Sequence, residues 1–242
     1  MKKLLLLFLL IIFALSAVSC ADKADKTENK PVTTAAITTR KPEPTALKGI
    51  DVSSFNGRIN WKKVKKDNID FAMIRIGGRG YGESGQIYQD TTALYNLKKA
   101  QAVGIKTGVY FFSQATSAAE AKEEAKFVKK ALGNIRISLP VAYDVERIKG
   151  DTSRIDSVSY SDSVKYAKVF MNTVKKLGYE PMVYIGEDSI LKKEDFKGYN
   201  IWLADYKYNP ETPNNTFKIC QYAKDGEVKG IKGNVDLDIS YE

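Results

Sequence analysis

The chain of 242 residues contains no histidine. That absence excludes a Ser-His-Asp or Cys-His nucleophile system and any histidine-ligated metal site. Cysteine is almost absent as well. Cys20 and Cys220 sit in such different contexts that no disulfide is expected between them. Long blocks of basic residues are lacking, although Lys and Arg number 38 against 29 Asp and Glu, a formal net charge of +9. Scattered lysines are read as a solvated positive surface rather than a dedicated nucleic-acid patch; they suit an anionic wall polymer or membrane face. The glycine-rich run Gly77-Gly78-Arg79-Gly80-Tyr81-Gly82 lacks the spacing and the lysine of a P-loop. It is read as a flexible loop on the substrate side. Chemistry must therefore come from carboxylates, tyrosines, lysines or backbone, and no cofactor or metal is expected.

What is present begins with Met1-Lys2-Lys3 and a continuous apolar run from Leu4 to Val18. That run matches the core of a signal peptide and is short for a membrane span of about 20 residues. It ends in Leu15-Ser16-Ala17-Val18-Ser19-Cys20, which resembles a bacterial lipobox, with Ala17 where leucine or valine is usual. The resemblance implies cleavage before Cys20 and lipidation of its thiol, hence an extracytoplasmic protein anchored to the membrane; the alternative is cleavage near Ala17 and release. Residues 20–46 form the lipidated Cys plus a linker rich in Lys, Thr, Ala, Pro, Glu and Asp. A segment so poor in large apolar residues cannot bury a core and is read as a disordered tether. The folded domain is expected over 47–242.

Within it, short apolar strands alternate with helical patterns. Strand-like runs cover 49–52, 71–76, 106–112, 139–143, 181–185, 201–204, 217–222 and 235–237. Helical patterns cover 60–67, a stretch capped by Asp90 and stopped by Gly104, a stretch opened by the capping box Ser117-Ala118-Ala119-Glu120, and 161–177. Such alternation predicts an α/β fold with a parallel sheet. Eight runs in one domain predict a TIM-barrel-like, irregular (β/α) barrel, because little room is left for helices between the last strands. A doubly wound sheet is the structural alternative.

Acids fall at the ends of these runs. Asp51 ends the first, Asp144 and Glu146 the fourth; Asp205 follows the sixth, and Asp236 and Asp238 lie on the eighth. The C-terminal strand ends are where a (β/α) barrel keeps its active site. Tyr81, Tyr110, Phe112, Tyr184, Trp202, Tyr206, Gln221 and Tyr222 share those ends. Carboxylates among flat rings make a surface suited to sugars. In glycoside hydrolysis one protonated acid meets the leaving oxygen and a second group attends the anomeric carbon. Like charges around Glu146 would raise its pKa toward that of a working acid. Asp144 and Glu146, about 6.6 Å apart along one strand, approach the sugar from one side. Attack by the substrate's own 2-acetamido group, oriented by Asp144, fits that arrangement better than attack from the opposite face.

Gly49-Ile50-Asp51-Val52-Ser53, Asp144-Val145-Glu146, Ile201-Trp202-Leu203-Ala204-Asp205-Tyr206, Gln221-Tyr222 and Gly233-Asn234-Val235-Asp236-Leu237-Asp238 together resemble glycoside hydrolase family 25. The resemblance implies an N-acetylmuramidase-type lysozyme that cuts the β-1,4 bond between N-acetylmuramic acid and N-acetylglucosamine in peptidoglycan glycan strands. It implies Glu146 as general acid, Asp144 as the acid assisting the acetamido group, and Asp51 and Asp236 as two further carboxylates of the cleft. Tyr110, Tyr184, Trp202, Asp205, Gln221 and Tyr222 are the expected substrate-binding residues, and a monomer is expected. The sequence departs from the family pattern at Phe55-Asn56-Gly57, at Phe111-Phe112 and at Cys220, where Trp-Gln-Gly, His-Tyr and Trp are usual. A chitinase-like or endo-N-acetylglucosaminidase activity and a non-catalytic wall-binding lipoprotein are the alternatives.

Overall fold

The computed structural model describes residues 45–148, 153–213 and 216–241. The expected signal segment, Cys20 and the linker as far as residue 44 lie outside the described residues. Nine strands follow in chain order: β1 (Ala46–Val52), β2 (Phe71–Arg79), β3 (Ile87–Gln89), β4 (Lys106–Phe112), β5 (Val141–Asp144), β6 (Pro181–Ile185), β7 (Asn200–Ala204), β8 (Ile219–Gly226) and β9 (Val235–Tyr241). Among the described residues four α-helices accompany them: α1 (Trp61–Lys66), α2 (Ala93–Gln101), α3 (Ala118–Leu132) and α4 (Tyr160–Lys176).

Eight strands close a barrel in the order β1-β2-β4-β5-β6-β7-β8-β9, and β9 pairs back with β1. Closure excludes the doubly wound alternative. From β1 to β8 every neighbour in the barrel is parallel. The all-parallel expectation fails at β9, which runs antiparallel to both β8 and β1. Only a short connection separates β8 from β9, too short for the crossover that a parallel pairing needs. β3, which the periodicity does not reveal, hangs on β2 outside the barrel.

The glycine-rich run is accordingly part strand. Gly77 and Gly78 belong to β2 and pair with Gln89 and Tyr88 of β3. A side chain at Gly78 would meet the Tyr88 hydroxyl at 2.6 Å.

Strand alternation sorts the core into two layers. Phe71, Met73, Ala142, Met182, Tyr184, Trp202 and Ile219 point inward and fill the barrel. Their neighbours in the strands point outward and pack with α2, α3 and α4 in one larger cluster that includes Val109, Phe111, Tyr143, Val183 and Cys220. Cys220 is thus a buried core thiol. Gly49 faces inward beneath Phe71, whose ring lies 2.1 Å from where a β-carbon would stand.

A register shift between Arg75 and Gly77 breaks the alternation of β2. Arg75 faces the barrel mouth and pairs with Asp90 at 2.9 Å. Arg79 reaches α3, where it bonds the fully buried Glu124 at 2.8 Å. Asp90 serves an ion pair and also accepts from the Thr92 amide at 2.9 Å and the Thr92 hydroxyl at 2.8 Å; the helix N-cap is Thr92, whose own side chain makes no capping bond. Ser117 caps α3 as expected, accepting from the Glu120 amide at 3.2 Å. The Glu120 carboxylate reaches back one residue further than a capping box requires, to the Thr116 amide at 2.8 Å.

Candidate active site

The mouth at the C-terminal ends of the parallel strands holds a cleft of about 300 Å³, lined by Asp51, Tyr110, Asp144, Glu146, Tyr184, Asp188, Trp202, Tyr206, Gln221, Lys224 and Asp236. On three strands a small or apolar inward residue lower down gives way to a polar one here: Asp51 above Gly49, Asp144 above Ala142, Gln221 above Ile219. The reversal of β9 brings Asp236 to this end, directly opposite Asp51 in the ladder. Were β9 parallel, its first residues would lie at the floor.

Glu146 lies two residues past Asp144, beyond the end of β5. Its backbone forms a bridge with Ser189, in the loop after β6. The buried Gln114 side chain donates to the Glu146 carbonyl at 3.0 Å. The Glu146 charge in turn acts on Asp144. Burial first, then that charge, pushes the Asp144 carboxyl well above the ordinary range, with Arg75 opposing. The Oδ1 atom of Asp144 is enclosed without a hydrogen-bond partner among the described residues. A buried carboxyl so placed favours its protonated form.

Asp51 is held by the Gln221 amide, which donates at 2.6 Å. The oxygen of that amide accepts from the hydroxyls of Tyr184 and Tyr206, each at 3.0 Å. These bonds fix which end of the Gln221 amide faces the acid. Burial and the charges of Asp238, Asp236 and Asp144 raise Asp51 well above the carboxylate range, against the Gln221 bond. Asp236 is pushed to about 6 by burial, moderated by Lys224. Tyr110 and Tyr184 stand edge-on to Trp202, with ring centroids 5.6 and 4.9 Å away.

Two of the expected substrate-binding residues lie outside this lining. Tyr222 follows Gln221 on β8 and so turns to the other face, against the outer core layer. Asp205 begins the turn after β7, and its Oδ1 accepts from the Lys207 amide at 3.0 Å. Asp188 and Lys224 line the cleft without having been picked out from the sequence, and Tyr206, named there among the rings at the strand ends, lines it too. Asp188 and Tyr206 follow strand ends, a signal the sequence does carry. Lys224 arrives through register shifts in β8 after Gln221, which alternation does not foretell.

A closed (β/α) barrel whose mouth gathers carboxylates among aromatic rings defines a glycosidase-type site. The pattern of glycosyl hydrolases family 25 matches residues 50–231, and the chain belongs to that family. It is 26% identical over 196 residues to the autolytic lysozyme of Clostridium acetobutylicum, covering 79% of this chain and 55% of that one. The modular autolysin LytC of Streptococcus pneumoniae, solved with a synthetic peptidoglycan ligand, superposes with a TM-score of 0.67 at 30% identity, over 81% of this chain and 47% of that one. The bacterial lysozyme of Streptomyces coelicolor shares the fold, with a TM-score of 0.65 at 23% identity over 80% of this chain and 91% of its own. The chain thus spans about half the length of the first two proteins.

Proposed function

We infer that the protein is a peptidoglycan muramidase, cutting the β-1,4 bond between N-acetylmuramic acid and N-acetylglucosamine. The observation that carries this reading is the meeting of Asp51, Asp144, Glu146 and Asp236, from distant parts of the chain, around one cleft with Trp202, Tyr110 and Tyr184. Family membership and the likeness to an autolytic lysozyme support it. In this reading Glu146 gives its proton to the glycosidic oxygen as the bond to the anomeric carbon breaks. The acetamido oxygen of the same sugar closes on that carbon, and a carboxyl oxygen of Asp144 accepts a hydrogen bond from the acetamido N–H, which stays on the positively charged ring. Water then opens the ring so formed, with Glu146 accepting its proton, and the configuration is retained. Asp51 and Asp236 hold sugar hydroxyls and the charge of the transition state, and the three rings cover apolar sugar faces.

The remaining proposals concern the whole chain. Residues 1–19 act as a signal peptide, Cys20 is lipidated, 20–46 tether and 47–242 catalyse outside the cytoplasm, the molecule working as a monomer on glycan strands. Among the described residues no helix is long and apolar enough to cross a membrane. Digestion of purified peptidoglycan tests the activity. New reducing ends on N-acetylmuramic acid are expected; ends on N-acetylglucosamine identify the other bond, and binding without new ends identifies a non-catalytic wall binder. Glycans lacking the N-acetyl group are expected to survive intact.

A further inference from the structure

Asp238 lies on β9, one inward position below Asp236, and is completely buried. Its Oδ1 accepts the indole N–H of Trp202 at 2.8 Å. Its Oδ2 is enclosed, with no partner of ordinary donor type among the described residues. Asp51 stands diagonally across the β1–β9 ladder, in which Asp51 pairs with Asp236 and Gly49 with Asp238, and the Gln221 that bonds Asp51 lies opposite Asp238 on β8, so the two carboxyls face each other in side-chain contact. Two carboxylates cannot make that contact, since neither has a hydrogen to give.

We propose that Asp238 is a positioning residue: its enclosed Oδ2 carries a hydrogen and donates it to Asp51, holding that carboxylate as an acceptor turned to the cleft, while Oδ1 locks the Trp202 ring. Asp238 is the partner that holds the hydrogen because it lies deeper than Asp51, which borders the cleft and already takes the Gln221 amide. The groups facing the pair agree. Asp51 and Asp144 come from β1 and β5, and Asp236 from β9 itself. From β8 come the neutral Gln221, opposite Asp238 in the ladder, with Cys220 and Tyr222 beside it. Lys224 acts on Asp236. Burial and the Asp236 charge together drive Asp238 well above the carboxylate range, against its bonds to Trp202 and Asp51. The chain Trp202–Asp238–Asp51–Gln221–Tyr184 then joins the stacking surface to the acid set through one shared proton.

The role of Asp51 in this scheme rests on the proposed glycosidase reading; the shared proton does not. Asparagine reproduces a protonated aspartate here, its oxygen accepting from Trp202 and its amide donating to Asp51. D238N is therefore expected to keep kcat/KM on peptidoglycan within roughly threefold of wild type. Asp238→Leu, of similar volume and unable to do either, is expected to lose about 10- to 100-fold in kcat. The second measurement is stability against pH. Between about pH 5 and 7 folded wild type holds a proton on the pair that the unfolded chain has released, so D238N should show a slope smaller by one proton. A collapse of D238N activity would show that Asp238 works as an ion, an active Asp238→Leu would remove it from the mechanism, and an unchanged slope would remove the proton; each overturns the proposal. If wild type cuts no glycan, the functional reading fails and the slope still decides the pairing.

Discussion

Gln221 donates to Asp51 at 2.6 Å across 170 positions of chain. The bond links β1 to β8, the first barrel strand to the seventh, and it sets the direction in which the Asp51 carboxylate can accept. Gln221→Leu leaves Asp51 and the hydroxyls of Tyr184 and Tyr206 without that shared partner. Unmade buried bonds of this kind cost about 1–3 kcal/mol each. If Asp51 acts in the transition state, kcat falls by roughly 10- to 100-fold with a modest change in KM. Turbidity clearance of peptidoglycan suspensions at matched folded protein measures this. An unchanged rate would free Asp51 from dependence on Gln221.

Asp144 and Glu146 differ in what their amides should do to the fold. Glu146→Gln and Asp144→Asn are each expected to abolish release of reducing ends. Asp144→Asn also relieves a buried acid crowded by its neighbour, so its melting temperature should rise above wild type. Each kcal/mol gained shifts the midpoint by about 2–4 °C in a domain of this size. Calorimetry at neutral pH reads it, and a lowered midpoint would show that ionised Asp144 stabilises the barrel.

The pH dependence of stability has a definite sign. Asp51, Asp144 and Asp238 are raised, first by burial and then by neighbouring acids, and Asp236 reaches about 6. Unfolded aspartate titrates near 3.9. Above that value the folded state holds protons that the unfolded chain releases, so stability falls as pH rises through 6 and beyond. Asp90 and Glu120 act on the other side. Burial works against their ionised forms, but the Ser54 and Thr92 bonds to Asp90 and the Arg154 bonds to Glu120 prevail and hold both low. Their contribution is present at neutral pH and lost only as acid protonates them. Maximum stability is therefore expected at about pH 4–5; denaturant midpoints measured across the range check it, and a maximum at or above neutrality would contradict it.

Arg79 is the buried charge on which the helix side depends. It bonds Glu124 and Glu123 at 2.8 Å each and the Gly85 carbonyl at 2.7 Å. Glu124 is in turn bonded by Ser113 Oγ at 2.7 Å. Arg79→Leu strands Glu124, whose carboxyl burial already raises to about 7. Loss of one partner of such a pair costs about 3–5 kcal/mol. A large drop in denaturation midpoint is expected, and Arg79→Leu with Glu124→Leu should recover part of it. A wild-type midpoint in the single variant would contradict the pairing.

The barrel was legible because its strands are buried on both sides and so read as short apolar runs, each closed by an acid or a ring. Asp51, Asp144 and Gln221 could be found because each ends such a run on an inward position. The direction of β9 was not legible. Val235 to Tyr241 alternates as any strand does, and alternation says nothing about which way a strand runs. β3 is three residues long and too short for a period to register. Arg75 sits in a run that otherwise reads as core and Arg79 in the glycine-rich run that reads as a loop, and their partners lie before α2 and on α3, so no local pattern announces the pairs. Tyr222 shows the opposite error. Its place beside Gln221 in the motif suggested a shared role, whereas the pleat sends adjacent residues to opposite faces.

The antiparallel pairing of β1 with β9 sets Ala46 beside Tyr241 at the closed end of the barrel, away from the sugar-sized opening. Anything attached ahead of the first strand or behind the last therefore hangs from one shared edge. A reporter fused at either end of the barrel would start from that edge, on the side opposite the entrance.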